Sequence, residues 1–348
     1  GKPKGVVLTH RNLLADSYGI GEIFKFKKGS KFLTTTPLFH NSGQVPTTLV
    51  PLWCGGTTTP IRPELGLLKL DYFVNKYKTN WSFVTPSFIS FILNTKKLYD
   101  ISCLQGLFVG GAKLNQGLRK KFQNDFSISL FEAYGLTETT SFSTCVTKKS
   151  KHSLEGSAGT PLSVNKIKIT DSKKVNGYKN QIGEIAIKGT NVFKEYLKMP
   201  NLTKEKKKDG WFFSGDLGYI IDNELFIVDR KDNMILVGGE NVYPAEVERF
   251  IPEMQGVVDG VLSSKDHSIL DNELVFIYES NDEKSVDEAA IKKMLGSKIS
   301  NFKIPKSFIC VKSIGLKTIP RAENGKILRK KLYDSFNRNV KRKIIDGN

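Results

Sequence analysis

The stretch that most constrains this chain is Gly215-Asp216-Leu217-Gly218-Tyr219, followed by Val228-Asp229-Arg230-Lys231-Asp232-Asn233-Met234-Ile235, Gly238-Gly239-Glu240-Asn241 and Tyr243-Pro244-Ala245-Glu246-Val247-Glu248. It reads as strand, polar turn, strand, glycine loop and helix. Residues 225–228 and 234–237 have the composition of buried strands, and Asp222-Asn223 marks the reversal before the first. Pro244 suits a first helical turn, with Val247, Phe250 and Ile251 on one face. An Asp, an Arg and a glycine pair between short strands make poor core material. They are suited to gripping a ribose, a phosphate and a narrow ligand channel.

The rest of the chain sets the frame. At 348 residues it has room for one large domain and a smaller one. Hydrophobic content of 39% and charged content of 25% are those of an ordinary globular protein. No run approaches the roughly 18 apolar residues of a spanning helix. The start, Gly1-Lys2-Pro3-Lys4, lacks the apolar core of a secretion signal. The four cysteines are scattered without metal-ligand spacing, which suits a reducing cytoplasm, the expected location. The net charge of +18 has two readings: a surface for polyanions, or a lysine-rich composition that decorates the surface. No nucleic-acid motif accompanies the charge, so nucleic acid is not an expected partner; peripheral contact with a membrane stays open.

In chain order, Gly1-Lys2-Pro3-Lys4-Gly5 before an apolar run fits either a loop over phosphates or a frayed terminus. A helix is expected over 11–28, then a strand over 32–36 running into Pro37-Leu38-Phe39-His40-Asn41-Ser42-Gly43. Residues 67–78 read as helix, 81–86 as a strand ended by proline, and Phe88, Ile89, Phe91, Ile92 and Leu93 as an apolar face. Leu107-Phe108-Val109-Gly110-Gly111-Ala112 reads as a buried strand ending in glycines, where a flat ring can approach the main chain. A helix over 115–124 and a strand over 127–131 complete the parallel α/β rhythm, which places ligands beyond the carboxyl ends of strands. Glu132-Ala133-Tyr134-Gly135-Leu136-Thr137-Glu138-Thr139-Thr140 supplies an aromatic, a glycine, hydroxyls and a carboxylate, or else a solvated turn. Residues 181–189 alternate like a strand, and 202–210 read as a lysine-rich exposed segment. Beyond about residue 233 come strands over 258–262, 273–278 and 308–311, and a helix over 286–300 with Ser285 and Glu288 as its capping box. Ile319-Pro320-Arg321-Ala322-Glu323-Asn324-Gly325-Lys326 leads into a basic tail.

These motifs, in this order and over essentially the whole chain, resemble those of the adenylate-forming (AMP-binding) superfamily, in its acyl- and aryl-CoA synthetase branch. The resemblance implies an α/β large domain, residues 1–232, and a small mobile α+β domain, residues 233–348, hinged at Asp232. It implies ATP-dependent activation of a carboxylic acid, with Mg²⁺, and transfer to coenzyme A. In that pattern Lys4 matches the phosphate-loop lysine, and His40 gates the acyl pocket. Gly110, Gly111 and Ala112 line the adenine, on which Tyr134 stacks beside Gly135. Thr137 contacts phosphate and Glu138 holds the metal. Asp216 and Arg230 bind ribose, Gly238, Gly239 and Glu240 line the pantetheine channel, and Lys326 reaches the reacting carboxylate and α-phosphate. A fatty acid is the expected substrate. An acyl-AMP ligase loading a carrier protein and a non-catalytic nucleotide- or acyl-binding fragment are the alternatives. Ser214 stands where Thr is common in the family, and Met254-Gln255-Gly256 where His-Pro-Gly is usual. Family members carry a further stretch before the Lys4 loop, so the chain is expected to lack the N-terminal part of the large domain, which leaves its activity open.

Overall fold

A computed structural model describes residues 4–95, 99–175, 178–267, 271–280, 286–322 and 327–336. Ser285 and Lys326 lie outside the described residues. The chain divides into two compact units. One comprises Gly1–Ser172, Gly183–Ser214 and Gly218–Ile227; the other comprises Lys173–Ile182, Gly215–Leu217 and Val228–Asn348.

In the first unit, parallel strands lie in the order Thr57–Pro60, Lys31–Thr34, Trp81–Val84, Gly106–Val109 and Ser129–Tyr134. The antiparallel Thr144–Cys145 and Thr160–Pro161 complete a seven-stranded sheet. A parallel sheet needs cover on both faces, and successive strand residues point to opposite ones. Leu33, Val84, Leu107, Val109 and Leu130 enter an aliphatic cluster with Ile89, Ile92 and Phe122. Phe32, Trp81, Phe83, Phe108 and Phe131 enter an aromatic cluster against which Phe24 and Phe26 pack. Ring pairs there stand 4.9–6.5 Å apart, including Phe24 edge-on to Phe131 and Phe26 edge-on to Trp81. Each such pair contributes about 0.5–1.5 kcal/mol beyond its burial.

That aromatic cluster explains one departure from expectation. The helix His10–Phe24, capped by Thr9 and Asn12, stops four residues short of the expected end, at Lys25 in the left-handed region. Continuing it would carry the Phe26 ring away from Phe32 and Trp81, with which it packs at 5.0 Å. The helix expected over 67–78 is two, Pro63–Leu68 and Leu70–Tyr77, because Pro63 nucleates a turn earlier and Lys69 leaves helical geometry.

A five-stranded sheet runs Lys207–Lys208, Trp211–Ile221, Ile182–Gly189, Asn165–Lys173, with Glu224–Arg230 also paired to Trp211–Ile221. Its turn, Asp222-Asn223, has both residues at positive φ (50° and 65°), the geometry whose twist matches a tight hairpin and which Asp and Asn tolerate. The short strand Val6–Val7 pairs with Glu195–Tyr196. The lysine-rich segment is not uniformly exposed. Lys207 is half-buried, and its Nζ donates to the carbonyls of Phe193 (2.6 Å) and Lys194 (3.0 Å).

The second unit holds the antiparallel pair Asp259–His267 and Asp271–Glu279, with Ser307–Cys310 parallel to the latter. Alternation again serves two faces: Leu274, Phe276 and Tyr278 join one cluster, Val275 and Ile277 another. The helix Glu288–Gly296 is capped by Asp287, whose carboxylate accepts from the Ala290 N–H at 2.9 Å. Asp287 therefore does the work expected of Ser285. The helix Pro244–Glu248 begins at its proline as expected but ends before Phe250 and Ile251, which still pack on the core. The fold is thus an α/β large part with a small α+β one.

Candidate active site

Strands Gly106–Val109 and Ser129–Tyr134 are parallel neighbours, with Val109 opposite Glu132. Their following loops, Gly110-Gly111-Ala112 and Gly135 to Thr140, therefore leave the same edge of the sheet side by side. Glu132 is the clamp between them. Arg119 donates to it at 2.9 Å and to the Leu130 carbonyl at 2.9 Å, while the Leu114 N–H donates to Glu132 at 3.2 Å. Burial raises the Glu132 carboxyl above the ordinary range, and the adjacent Arg119 cation opposes that rise. Glu132 is a buried girder and not a ligand.

Gly135 admits no side chain: a Cβ there would lie 1.6 Å from the Ser141 carbonyl oxygen. The chain folds back on itself at that point, and Thr137–Thr139 forms a 3₁₀ turn that presents Thr137 and Glu138 outward. Tyr134 is nearly buried, in one cluster with Phe193 and Tyr196. The Phe193 N–H donates to the Glu138 carbonyl at 2.8 Å, and the Tyr196 hydroxyl donates to Glu138 Oε1 at 2.7 Å. Lys4 Nζ stands 4.9 Å from the centroid of the Tyr196 ring, within cation–π range. So the loop lysine and the candidate metal carboxylate, 134 positions apart in sequence, meet at one tyrosine. Sequence reasoning missed Tyr196, since nothing in its local spacing links it to Glu138.

It also missed Asp16 and Asn191, both fully buried. Asp16 accepts from the Phe142 N–H (3.1 Å) and from Asn191 Nδ2 (3.0 Å), and Asn191 donates further to the carbonyls of Thr139 (3.2 Å) and Phe142 (2.9 Å). These bonds pin the loop that carries Glu138 from below. Burial pushes the Asp16 carboxyl up to about 8 against the opposing effect of its hydrogen bonds.

His40 caps the short helix Asn41–Gln44: the Ser42 N–H donates to Nδ1 at 3.2 Å, and Nδ1 lies 2.7 Å from Ser42 Oγ. Accepting at Nδ1 places the proton of the neutral ring on Nε2. Burial lowers the His40 pKa, in keeping with a neutral ring. Next to it, Asn41 Nδ2 donates to the Thr140 carbonyl, tying this segment to the Glu138 loop.

The second unit gathers its own candidates. Arg230 Nη1 donates to Asp216 Oδ1 at 3.0 Å, with Asp216 buried and Arg230 half-buried. Gly215 has φ +76°, and a Cβ there would come within 3.1 Å of Arg230 Nη2. Asp229, to which the sequence assigned no role, anchors the block: it accepts from Asn233 Nδ2 (2.7 Å) and from the Ala245 N–H (2.9 Å). Gly238 and Gly239, at φ 55° and 83°, form the two-residue turn between Ile235–Val237 and Glu240–Val242. Two successive positive φ values make glycine the natural occupant. Asp232 and Glu240 are exposed. Lys326 lies outside the described residues.

Among the described residues no three His, Cys, Asp or Glu side chains converge on a point that could cage a metal. Mg²⁺ on a nucleotide does not require one: it keeps several waters and takes one or two carboxylates besides phosphate oxygens. Glu138, with only Oε1 engaged among the described residues, fits that donor set. Also among the described residues, no helix is long and apolar enough to cross a membrane.

Comparison with known proteins identifies relatives over nearly the whole chain. The chain is 31% identical over 349 residues to 4-coumarate-CoA ligase 1 of Narcissus pseudonarcissus, covering 95% of this chain and 62% of that protein. It is 28% identical to a long-chain-fatty-acid–CoA ligase of Bacillus subtilis, covering 97% and 60%. Among solved structures it superposes on ATP-bound MatB from Rhodopseudomonas palustris with a TM-score of 0.86 at 26% identity, over 97% of this chain and 66% of that one. It superposes on o-succinylbenzoate CoA synthetase from Bacillus subtilis, in complex with its acyl-adenylate intermediate, with a TM-score of 0.83 at 26% identity, over 95% and 66%. The chain thus spans about three fifths of the length of these two curated ligases. The family described as AMP-binding enzyme matches residues 1–197, more than half of the 348. The chain belongs to the AMP-binding enzyme family.

Proposed function

We propose that the protein activates a carboxylic acid, a fatty acid in our reading, with ATP and Mg²⁺, and passes the acyl group to coenzyme A. The substrate carboxylate attacks the α-phosphorus, a carboxylate–phosphorus bond forms, the α–β bond breaks, and pyrophosphate leaves. The thiol sulfur of coenzyme A then attacks the acyl carbon; the bond to AMP breaks, AMP leaves with the electron pair, and the thiol proton passes to solvent. The nucleophiles are reactive enough that the protein's task is placement and charge neutralisation.

The observation that carries this reading is the meeting of Lys4, Tyr196 and Glu138 beside the loops at the carboxyl ends of two parallel strands. Glu138 would hold Mg²⁺, which when bound neutralises phosphate charge and polarises the α-phosphoryl group. Gly110, Gly111, Ala112, Tyr134 and Gly135 would receive the adenine, Thr137 and Lys4 the phosphates, and Asp216 with Arg230 the ribose. His40 would gate the acyl pocket. Lys326 would stand between the acid and the α-phosphate during the first step. Residues 1–232 and 233–348 would be the moving parts, turning at Asp232 so that Gly238, Gly239 and Glu240 line the thiol's channel. The partly exposed Phe91 beside Phe88 supports an apolar acid. Four free cysteines support a cytoplasmic location.

The test is mass-spectrometric detection of acyl-CoA from ATP, Mg²⁺, coenzyme A and a panel of fatty and aryl acids. Fatty acyl-CoA is the expected product. A thioester from aryl acids alone would overturn the substrate class, and one formed only on a carrier protein would overturn the acceptor.

A further inference from the structure

Tyr196 is 3% exposed, yet its hydroxyl reaches the half-exposed Glu138 carboxylate at 2.7 Å. Its position is fixed from several sides. The Tyr196 N–H donates to Thr203 Oγ1 at 3.0 Å, and its ring packs on Phe193 at 4.7 Å. The strand Glu195–Tyr196 pairs with Val6–Val7, while the N–H groups of Lys194 and Leu197 donate to the carbonyls of Val7 (2.9 Å) and Gly5 (2.8 Å). The residues that follow Lys4, Gly5 to Val7, and the strand bearing Tyr196 therefore move as one piece. The same piece holds the Glu138 main chain through Phe193.

A buried hydroxyl donating to one carboxylate oxygen restricts the carboxylate's rotation and leaves the other oxygen as its remaining ligand. The ring face of the same tyrosine holds an ammonium group, so carboxylate and cation are set at a fixed separation.

We propose that Tyr196 is a positioning residue of the adenylation site, orienting Glu138 toward the metal-bearing phosphates of the nucleotide and seating Lys4 beside it. The inference rests on the adenylation reading above. It assigns to a residue outside the recognised motifs the coupling of metal affinity to nucleotide affinity. Tyr196→Phe removes the hydroxyl and keeps the ring, so it separates the two contacts; Tyr196→Leu removes both.

The experiment is calorimetric titration of the protein with ATP, once in excess Mg²⁺ and once in a chelator, for wild type, Tyr196→Phe and Tyr196→Leu, with a melting curve of each. The expected result is that Tyr196→Phe weakens ATP binding in Mg²⁺ by about tenfold, the order seen when the partner of a metal ligand is lost, while binding in chelator is unchanged. Tyr196→Leu should weaken binding in both media. Equal losses for Tyr196→Phe with and without metal would show a merely structural tyrosine, and no loss would show an idle hydroxyl; either overturns the proposal. Wild type that binds no ATP in either medium would instead overturn the adenylation reading, and it does so without reference to the variants.

Discussion

Arg230 grips Asp216 through a 3.0 Å charge-assisted hydrogen bond, and the absence of a side chain at Gly215 leaves room for the guanidinium. The two residues read from sequence as separate ribose contacts are one unit. Asp216→Asn and Arg230→Ala should each lower ATP affinity by about tenfold or more, roughly 1.4 kcal/mol, and the double variant should lose less than the sum of the two. Binding measured by calorimetry on the four proteins checks this, and strict additivity would show that the pair does not act together.

The buried Asp16 makes stability depend on pH in an unusual direction. Its folded pKa, about 8, lies above the ordinary carboxyl value of 3.8, so the protonated form is favoured in the fold. The stabilisation is complete below about pH 4 and is lost as pH rises through 8. Denaturant unfolding between pH 5 and 9 should show this decline in the wild type and a flatter profile in Asp16→Asn. An unchanged slope in the variant would place the titration elsewhere.

His40 works the other way. Burial lowers its pKa below 6.5, so its neutral form stabilises the fold at higher pH, and that contribution is lost as pH falls below about 6.5. Protonation also removes the acceptor that caps the helix at Ser42. His40→Asn, which keeps a capping oxygen, should flatten the acid limb, and His40→Ala should lose about 1 kcal/mol at pH 8. Chemical denaturation at pH 5.5 and 8 reads both.

Two glycines should respond in opposite degree. Gly135→Ala places a methyl group against the Ser141 carbonyl and should cost about 3 kcal/mol, with loss of nucleotide binding. Gly239→Ala meets open space and should cost only the left-handed strain, about 1–2 kcal/mol, with ATP binding intact. Urea midpoints and ATP titration of both variants distinguish the cases.

Arg119→Leu leaves Glu132 buried without its cation and should cost about 3–5 kcal/mol, while Arg119→Leu combined with Glu132→Leu should cost clearly less. Urea unfolding of the two variants measures the difference.

Much of the fold was legible because parallel strands such as Leu107-Phe108-Val109 carry continuous apolar runs bounded by glycine, and Asp222-Asn223 and Gly238-Gly239 sit at turns that need positive φ. Helix ends were less so. Where the helix from His10 stops depends on the Phe26 ring finding Phe32 and Trp81, a tertiary preference that local propensity does not contain. The segment Tyr134 to Glu138 was singled out by its resemblance to the family's motif, since its own residues read equally as a solvated turn. Its supports carried no such signal, because Asp16, Asn191 and Tyr196 act through contacts across 49 to 175 positions. Asp229 lay within the most informative block and still went unassigned, since its bond to the Ala245 N–H exists only once the chain has turned back at Gly238-Gly239.

The most direct test of the central claim is carboxylate-dependent ATP–pyrophosphate exchange by the purified protein, with Lys326→Ala alongside. The account predicts exchange that requires both Mg²⁺ and a fatty acid and that falls about a hundredfold or more in the variant, as expected when a cation at the reacting phosphate is removed. Exchange that ignores the acid supplied, or that Lys326→Ala leaves untouched, would contradict it.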